Sequence, residues 1–490
     1  MRRFLITVAT AVCLLALAVP AAAHPGVPLA PTAPTNLTHS STDNIEYLGR
    51  FPEHFGTAGG RLHGDRYYIT DPRGVYVYDV STPESPKLLG SIALYQTATG
   101  AALAQEEPDT NGEILVVDAA PTPYGTAQMT VVDVSDPASM KVLSTVNVTD
   151  HTWTCISATD AEGDLNECAY VYGRTGHIVD LPDPAKATLL PTTWRKSVNH
   201  GDRANSPYVH DLTEIRPGLT MSAGAAAILM DTTDPTAPVR LAAIEERGRF
   251  SSLGYHSVEW ANGGTDPFVV LGTEIAPPPV AGAPAATANT AGSDCQGDNS
   301  VIETWDASEI VAGLEAYEQG ASASEAFAGK AFRKIDTFDA AGRGIFLQGQ
   351  APGHLLYCAH WMRLAPDFDA GGLMAVSYYD RGTRFVQIDA EGAMTEVGWI
   401  TALEGYSGSP RWVTDDIVYI SDYRRGMEVV RIQRDTEATG VEHNAPDAIA
   451  VGSSYVPPSA LNIQLASNLA LGLFGAVMAG DRLRRRLRRR

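Results

Sequence analysis

Short apolar runs, each ended by an Asp and a turn that contains Pro, recur along the middle of the chain. Four copies are clear and three are weaker: residues 75–83, 130–137, 177–184, 227–235, then 301–308, 384–389 and 427–435. β-branched runs fill buried strands, Asp and Ser side chains cap turn amides, and Pro prevents further pairing. The pattern therefore predicts seven repeats of one β unit.

Each copy belongs to a larger unit. In the second unit we predict strands at 101–104, 113–117, 129–134 and 141–146. This arrangement and the spacing of the repeats are typical of four-stranded propeller blades. Residues 44–51 resemble the outer strand 86–93, and no outer strand follows the last copy. We therefore predict an all-β, seven-bladed β-propeller over 44–436, closed by the N-terminal strand. An open β solenoid or two separate sandwiches are the alternatives.

The first 23 residues have the pattern of a secretory signal peptide. Arg2 and Arg3 precede an apolar stretch over 4–19, and small residues at 20–23 supply a cleavage site. We expect a mature chain that begins at His24, with a linker over 24–43. An uncleaved membrane anchor is the alternative.

The C-terminal end has the pattern of a membrane tether. We predict a stalk over 437–460, a transmembrane helix over 461–480 and an Arg-rich cytoplasmic tail over 481–490. The propeller would then lie on the extracellular face of the cell membrane or in the envelope. An amphipathic surface helix is one alternative. A sorting signal with a cleaved tail is another, although the chain has no LPxTG-type motif.

Charge separates these parts. The whole chain has a formal net charge of −21, but residues 4–480 alone contain 27 basic and 56 acidic residues. Such an acidic body repels phosphate backbones, so we expect no nucleic-acid partner. The expected partners are the membrane and an unknown protein or small-molecule ligand.

Four cysteines remain after the signal peptide. An even number in an exported chain favours two disulfides. Cys155 and Cys168 are separated by one short turn, which favours a cross-strand bridge, and Cys295 with Cys358 follows by elimination. Metal binding by cysteine is the weaker interpretation, because no pair has a close spacing.

One unit contains a long insertion over 275–332. An Ala/Pro/Gly-rich segment is followed, after Asp306, by residues that favour helix. Such an insertion could form a lid or a partner surface, or simply be a tolerated surface loop.

The motif pattern resembles a known family. The sequence Val-Asp-Val-Ser-Asp-Pro at 132–137, together with Lys-Leu-Leu-Gly at 87–90, resembles the LVIVD-repeat proteins of bacterial surfaces. The resemblance covers roughly residues 44–435 and is strong in the first four units. It implies a β-propeller exported to the envelope, and it transfers no catalytic residue.

Histidines are the main chemical signal. His210, His256 and His360 begin inner strands at similar heights in successive blades, and His151 and His54 precede their turns by about three more residues. Imidazoles that converge from separate strands favour a Zn, Cu or Fe site. Polar packing or a water-lined channel is the alternative interpretation. The ring of histidines resembles carotenoid-oxygenase propellers in concept, and the strands resemble copper-dependent methanethiol oxidases, but no motif aligns.

Other residues near the predicted channel support weaker hypotheses. Glu214 shares a strand face with His210, so it could orient a ligand or act as a base. Glu259 faces away from His256 and is interpreted as structural. Four tryptophans could stack on a ligand or, more commonly, fill the space between blades: Trp153, Trp260, Trp361 and Trp412.

Two functions follow from these patterns. The first is a surface-exposed binding scaffold of the LVIVD type. The second is a metal-dependent channel enzyme, an oxidase for example, that uses the axial histidines. Phosphate-binding loops, serine nucleophile elbows and HExxH helices have no match in the sequence.

Overall fold

Seven antiparallel sheets make up the part of the chain that the computed structural model describes. That part comprises residues 39–54, 56–57, 59–94, 106–119, 127–160, 163–198, 209–245, 255–274, 301–340, 359–379, 381–402 and 405–434. Each sheet is one blade, and its strands follow one another from the inside to the outside.

The strands of blades 1 to 4 lie in simple sequence order. Blade 1 contains β3 (Gly60–His63), β4 (Arg66–Asp71), β5 (Gly74–Asp79) and β6 (Lys87–Ala93); blade 2 contains β7 (Asp109–Thr110), β8 (Ile114–Ala119), β9 (Gln128–Asp133) and β10 (Lys141–Val146); blade 3 contains β11 (Trp153–Thr159), β12 (Leu165–Gly173), β13 (His177–Asp180) and β14 (Thr188–Thr193); blade 4 contains β15 (Val209–Arg216), β16 (Leu219–Gly224), β17 (Ala227–Asp231) and β18 (Val239–Ile244).

Blade 5 also follows simple sequence order, whereas blades 6 and 7 each include one strand from the N-terminal side. Blade 5 contains β19 (Tyr255–Glu259), β20 (Phe268–Thr273), β21 (Ile302–Asp306) and β22 (Arg333–Phe338); blade 6 contains β23 (Met362–Leu364), β24 (Gly372–Ser377), β25 (Thr383–Ile388), β26 (Met394–Ala402) and β1 (His39–Ser41); blade 7 contains β27 (Ser407–Trp412), β28 (Ile417–Asp422), β29 (Gly426–Ile432) and β2 (Ile45–Phe51).

Few helices interrupt the described strands. The α-helices are α1 (Trp194–Ser197), α2 (Ser308–Glu318) and α3 (Ala323–Ala326), and the short 3-10 helices are Pro52–His54, Pro137–Ser139, Pro184–Lys186 and Asn262–Gly264.

The N-terminal strand closes the ring, as predicted. β2 pairs antiparallel with β29, from Ile45 opposite Ile432 to Phe51 opposite Met427. The predicted linker over 24–43 is wrong at its end, because His39–Ser41 pairs with β26 as a fifth strand of blade 6. Both pairings satisfy backbone groups that would otherwise form open sheet edges.

The hydrophobic core lies between neighbouring blades. Ile114 and Val116 of β8 pack toward blade 3, whereas Leu115 and Val117 pack toward blade 1. A strand covered on both faces needs apolar residues at every position, which explains the continuous apolar runs in the sequence. Seven such clusters join successive blades, and the last joins blade 7 to blade 1. The structure is thus a closed seven-bladed β-propeller, and neither the solenoid nor the sandwich alternative holds.

The repeated Asp turn has the capping role expected of it. The carboxylates of Asp79, Asp133 and Asp231 each accept a hydrogen bond from the backbone N–H two residues later, at 2.8–3.2 Å. In addition, the carbonyl of the motif proline accepts a hydrogen bond from a tyrosine of the preceding blade, as Tyr419 donates to Pro83 at 2.6 Å. The motif therefore ends its own strand and holds the neighbouring blade.

One strand prediction for blade 2 is wrong. We expected its inner strand at 101–104, which lies outside the described residues, but the inner strand is Asp109–Thr110. With only two residues, this strand is too short to produce a periodic pattern. The displacement matters because the residues just before it reach the channel axis.

The disulfide between Cys155 and Cys168 is confirmed. It joins β11 and β12, and the two Cα atoms are 4.6 Å apart. Cys295 and Cys358 lie outside the described residues. Their pairing stays a prediction.

Helices form in the described part of the insertion, as expected. Ile310 and Leu314 of α2, together with Phe327 and Phe332, pack into the cluster between blades 4 and 5. The hydroxyl of Tyr317 also donates to Asp231 at 2.7 Å. These contacts fix residues 301–332 against the side of the ring.

The predicted signal peptide, stalk, transmembrane helix and Arg-rich tail lie outside the described residues. Within the described residues, no helix has the length and apolarity needed to cross a bilayer.

Candidate metal centre

Four histidines from four consecutive blades meet on the channel axis. His151 and His360 each stand two residues before an inner strand, and His210 and His256 lie in the inner strands β15 and β19. The rings of His151 and His210 are 4.9 Å apart, those of His210 and His256 are 3.6 Å apart, and those of His256 and His360 are 4.6 Å apart. The structure thus brings together four of the five predicted histidines, all of them buried.

The carboxylate of Glu106 lies in the middle of these rings. Its Oε1 atom is 3.2 Å from Nε2 of His151 and from Nε2 of His360. Its Oε2 atom is 3.5 Å from Nε2 of His210 and 3.6 Å from Nε2 of His256. We call Glu106 and the four histidines the histidine cluster. In every case the Nε2 atom faces the carboxylate.

Sequence reasoning missed Glu106 because it placed the inner strand of blade 2 too early. Glu106 stands three residues before β7, at nearly the position of His151 and His360 in their own blades. The pair Glu106–Glu107 ahead of Pro108 was the available signal, since two adjacent acids before an inner strand must lie near the axis.

Contacts between blades hold the histidines in place. The Thr152 hydroxyl donates to the His210 carbonyl at 2.7 Å, and the Ser257 hydroxyl donates to the His360 carbonyl at 3.5 Å. Each hydroxyl belongs to the residue that follows an axial histidine. Neighbouring inner strands are therefore joined at the height of the cluster.

His360 has a defined orientation. Its Nδ1 atom is 2.6 Å from the carbonyl oxygen of Gly408, which can only accept a hydrogen bond. Nδ1 therefore carries a proton, and in the neutral ring the lone pair is on Nε2, facing Glu106. A hydrogen bond from the second nitrogen to a carbonyl is the usual support of a metal-binding histidine.

Burial favours the neutral form of the imidazole. Burial, followed by the proximity of His256, lowers the pKa of His210 well below its usual value. A neutral imidazole is the form that binds a metal ion. At neutral pH, His210 accordingly offers a nitrogen lone pair on the axis.

A second carboxylate adjoins the cluster. Oε2 of Glu274, which follows β20, is 3.6 Å from Nε2 of His256. The hydroxyl of Tyr379 donates to Oε1 of Glu274 at 2.5 Å, and the Tyr379 ring lies 4.5 Å from the ring of His360. Burial and the nearby Glu274 carboxylate raise the pKa of the Tyr379 phenol well above its usual value. Tyr379 thus stays a hydrogen-bond donor.

His54, the fifth predicted histidine, lies elsewhere. Its Nδ1 atom is 3.3 Å from Asp71 and its Nε2 atom is 2.6 Å from the Tyr78 hydroxyl, both on blade 1. The sequence prediction failed here because His54 lies in the 3-10 helix Pro52–His54, which turns its ring toward its own blade.

Glu214 also lies away from the cluster. Its carboxylate accepts hydrogen bonds from the backbone N–H and the hydroxyl of Ser157, at 2.8 and 2.7 Å. It lines a cavity further along the channel, and burial raises the pKa of Glu214 to about 7. Glu259, interpreted as structural, forms an ion pair with Arg363 at 3.0 Å.

The four tryptophans divide into two groups. The indole N–H of Trp361 donates to Oε2 of Glu106 at 2.9 Å, so this ring helps to orient the carboxylate. Trp153, Trp260 and Trp412 pack in the clusters between blades. The space-filling interpretation holds for these three.

Comparisons with known proteins give the following results. No family model matches the chain, and no curated protein matches it. Among solved structures, the chain is similar to a protein from Lactobacillus plantarum (12% identity, TM-score 0.44, 78% of this chain and 89% of that chain). It is also similar to a functionally unknown protein from Desulfotomaculum acetoxidans (10%, 0.40, 70% and 84%) and to the WD40 β-propeller domain of Doa1 (7%, 0.43, 80% and 98%). The propeller assignment itself rests on the strand pairing.

Proposed function

We propose that this protein is an exported β-propeller that binds one transition-metal ion, Cu, Fe or Zn, in the histidine cluster. The observation that carries the proposal is the convergence of four Nε2 atoms from four blades on the Glu106 carboxylate. Imidazole nitrogen suits these three metals, and a carboxylate completes a common ligand set.

The spacing of the ligand atoms is compatible with a metal ion. Two groups, Glu106–His210–His256 and His256–Glu274–His360, each have their ligand atoms within 4.8 Å of one another. Ligands on a single ion, each about 2.1 Å from it, are separated by no more than about 4.2 Å. Side-chain shifts below about 1 Å would therefore be sufficient. Copper or iron here would supply redox chemistry, as in an oxidase, whereas zinc would polarise a substrate oxygen.

Metal analysis of the native protein tests the proposal. We expect elemental analysis of the exported protein to find close to one equivalent of Cu, Fe or Zn. Replacement of His210, His256 and His360 by Ala should abolish it, while His177→Gln, a change outside the cluster, should retain it. If the triple variant does not fold, the test uses chelation of the native protein, which should lower the melting temperature reversibly. Native protein that binds no metal, even after incubation with each ion, would refute the proposal.

The repeated motif favours a second function, that of an envelope-exposed binding scaffold of the LVIVD type. A propeller fold suggests a capacity to bind other proteins, and the motif turns expose polar residues such as Ser81, Asp136 and Asp234. Replacing Asp136 and Asp234 by Ala should weaken capture of a partner from envelope extracts without changing metal content. Equal capture by both proteins would contradict this function.

Export and tethering belong to the same proposal. Their support is the sequence pattern at 1–23 and 461–490. We expect the mature chain to begin at His24 and to fractionate with membranes, and a chain that ends at Ala460 to be released. Full-length protein found free in the medium would contradict the tether.

A further inference from the structure

A polar cavity in the channel lies directly beside the histidine cluster. Its volume is about 330 Å³, which falls within the range of small-molecule sites. Arg61 and Arg216 at its edge keep 39% and 29% of their side-chain surface exposed, so the cavity is open to solvent there. Four of the residues that line it each follow a member of the histidine cluster immediately in the sequence: Glu107, Thr152, Asp211 and Trp361.

The ring of Trp361 contacts both the polar cavity and the imidazoles. Trp361 lines the cavity, and its ring centroid is 5.1 Å from that of His256, 6.0 Å from that of His210 and 6.2 Å from that of His360. None of the four histidines is among the described residues that line the cavity. Trp361 itself is only 2% exposed. The indole ring therefore forms the wall between the cavity and the cluster.

Two contacts hold the indole ring in this position. Its N–H donates to Oε2 of Glu106 at 2.9 Å, and the guanidinium carbon of Arg363 lies 4.7 Å from the ring centroid, a cation–π contact. Arg363 is fixed in turn, because it is 3.0 Å from Glu259 and also pairs with Glu107. The ring is thus fastened at one edge to the cluster and on its face to the ion pairs of the cavity.

Buried tyrosines occupy other positions around the cluster. The rings of Tyr379 and Tyr423 lie 4.5 and 6.2 Å from the ring of His360, and both residues are fully buried. A second cavity beside Tyr379 has a volume of about 10 Å³, which is about the space of one water molecule. Of the two cavities, only the polar cavity has room for an organic solute.

We propose that the polar cavity is the entrance chamber of the histidine cluster and that Trp361 closes its inner end to organic solutes. Trp361 then determines what reaches the ligand nitrogens. For the proposed metal site, on which the functional meaning of this inference rests, direct ligands of the ion are limited to the size of water or a diatomic molecule. The barrier itself is a property of the metal-free chain, so it can be tested without a metal ion.

Acylation by diethyl pyrocarbonate tests the barrier in exported protein treated with a chelator. This reagent acylates accessible neutral imidazoles, and mass spectrometry of the peptides identifies each modified histidine. His63 lines the polar cavity, so its acylation reports that the reagent has entered. In the native sequence we expect His63 to be acylated while the four histidines of the cluster remain unmodified.

Two substitutions of Trp361 separate the ring from its hydrogen bond. Trp361→Ala removes the ring and joins the cavity to the cluster, so acylation of His256 relative to His63 should rise about tenfold or more. Trp361→Phe keeps a ring in place but also loses the N–H that contacts Glu106, so the ratio should stay close to that of the native sequence. Circular dichroism and the melting temperature establish that each variant is folded. Trp361→Leu replaces the Ala variant if that variant does not fold.

Four results would overturn the proposal. In the native sequence they are acylation of the cluster at the rate of His63, and absence of acylation at His63. In the variants they are an unchanged ratio in Trp361→Ala or its Leu replacement, and an equal rise in Trp361→Phe, which would assign the protection to the hydrogen bond. Elemental analysis measures the metal separately, so a chain that binds no metal refutes the metal site and leaves the barrier to be judged by acylation alone.

Discussion

The channel has two parts that differ in chemistry. The carboxylates that mark them belong to two adjacent residues, Glu106 and Glu107. The Glu106 carboxylate contacts four buried imidazoles, while the Glu107 carboxylate contacts Arg363, Arg411 and Ser409. Nitrogen lone pairs around a carboxylate suit a transition-metal ion, whereas the charges around Glu107 already form ion pairs with one another. One propeller channel therefore presents two environments of unlike chemistry.

Glu106 and Glu107 also differ in how their carboxylates contribute to the stability of the fold. Burial alone would raise the pKa of Glu107, but the guanidinium groups of Arg363 and Arg411 outweigh it and lower that pKa. Glu107 is therefore ionised and paired, so its removal leaves Arg411 without its ion-pair partner and Arg363 with Glu259 alone. Glu106 instead faces imidazoles, and at neutral pH burial keeps that of His210 neutral.

The largest expected effect separates the two neighbours by stability. Glu107→Gln should reduce the free energy of unfolding by about 3–5 kcal/mol, because breaking one partner of a buried ion pair leaves uncompensated charge. In metal-free protein, Glu106→Gln should cost clearly less. Urea unfolding of both variants, each stripped of metal, measures the difference. Equal losses of unfolding free energy would show that the two carboxylates contribute equally to stability.

The next effect reverses the order of the two variants. Glu106→Gln should weaken metal binding about 10- to 100-fold, because it removes the charge that faces all four Nε2 atoms. Glu107→Gln, measured where it remains folded, should leave metal affinity within a few fold of native. Competition with a chelator of known affinity gives both values. A weaker metal affinity in Glu107→Gln than in Glu106→Gln would contradict the division of the channel.

The disulfide offers an intermediate test outside both sites. Replacing Cys155 and Cys168 by Ser should destabilise the protein by about 3 kcal/mol, since the bridge closes a loop of 13 residues in the unfolded chain. Thermal unfolding of the double variant measures the loss. Metal affinity should be unchanged, and a coupled loss of metal would show that β11 positions His151 through the bridge.

The last effect concerns pH, and it is small for each pH unit. Burial raises the pKa of Glu214 from 4.5 to about 7, so the folded state binds more protons than the unfolded state between these values. The contribution of Glu214 to the free energy of unfolding should therefore be greatest below pH 4.5 and fall as pH rises toward 7. The slope from this group is at most about 1.4 kcal/mol per pH unit. Glu214→Gln should flatten this pH dependence of the free energy of unfolding. An unchanged pH profile would show that Glu214 is not desolvated.

Much of the fold follows from the sequence because the repeated unit is local. A buried run, an Asp turn and a proline lie within nine residues, and each feature has its own physical cause. Ring closure is also visible, since residues 44–51 resemble an outer strand without a blade. His210, His256 and His360 could be aligned because each lies near the start of an inner strand, at a similar distance from the following turn.

The rest of the site depends on contacts that the sequence does not display. Glu106 precedes an inner strand of only two residues, which is too short to be periodic. Glu274 and Tyr379 follow the second strands of blades 5 and 6, so they reach the axis only after the blades are arranged in a ring. The position of the Glu214 carboxylate likewise depends on Ser157 of blade 3, a contact between residues 57 apart in the sequence.

X-ray absorption at the metal edge of the native, exported protein tests the central claim most directly. The account predicts Cu, Fe or Zn with a first shell of nitrogen and oxygen atoms near 2.0–2.1 Å, imidazole scattering from three or four histidines, and loss of that scattering in the triple His210, His256 and His360 variant. A first shell dominated by sulfur near 2.3 Å would contradict it. So would native protein with no bound transition metal.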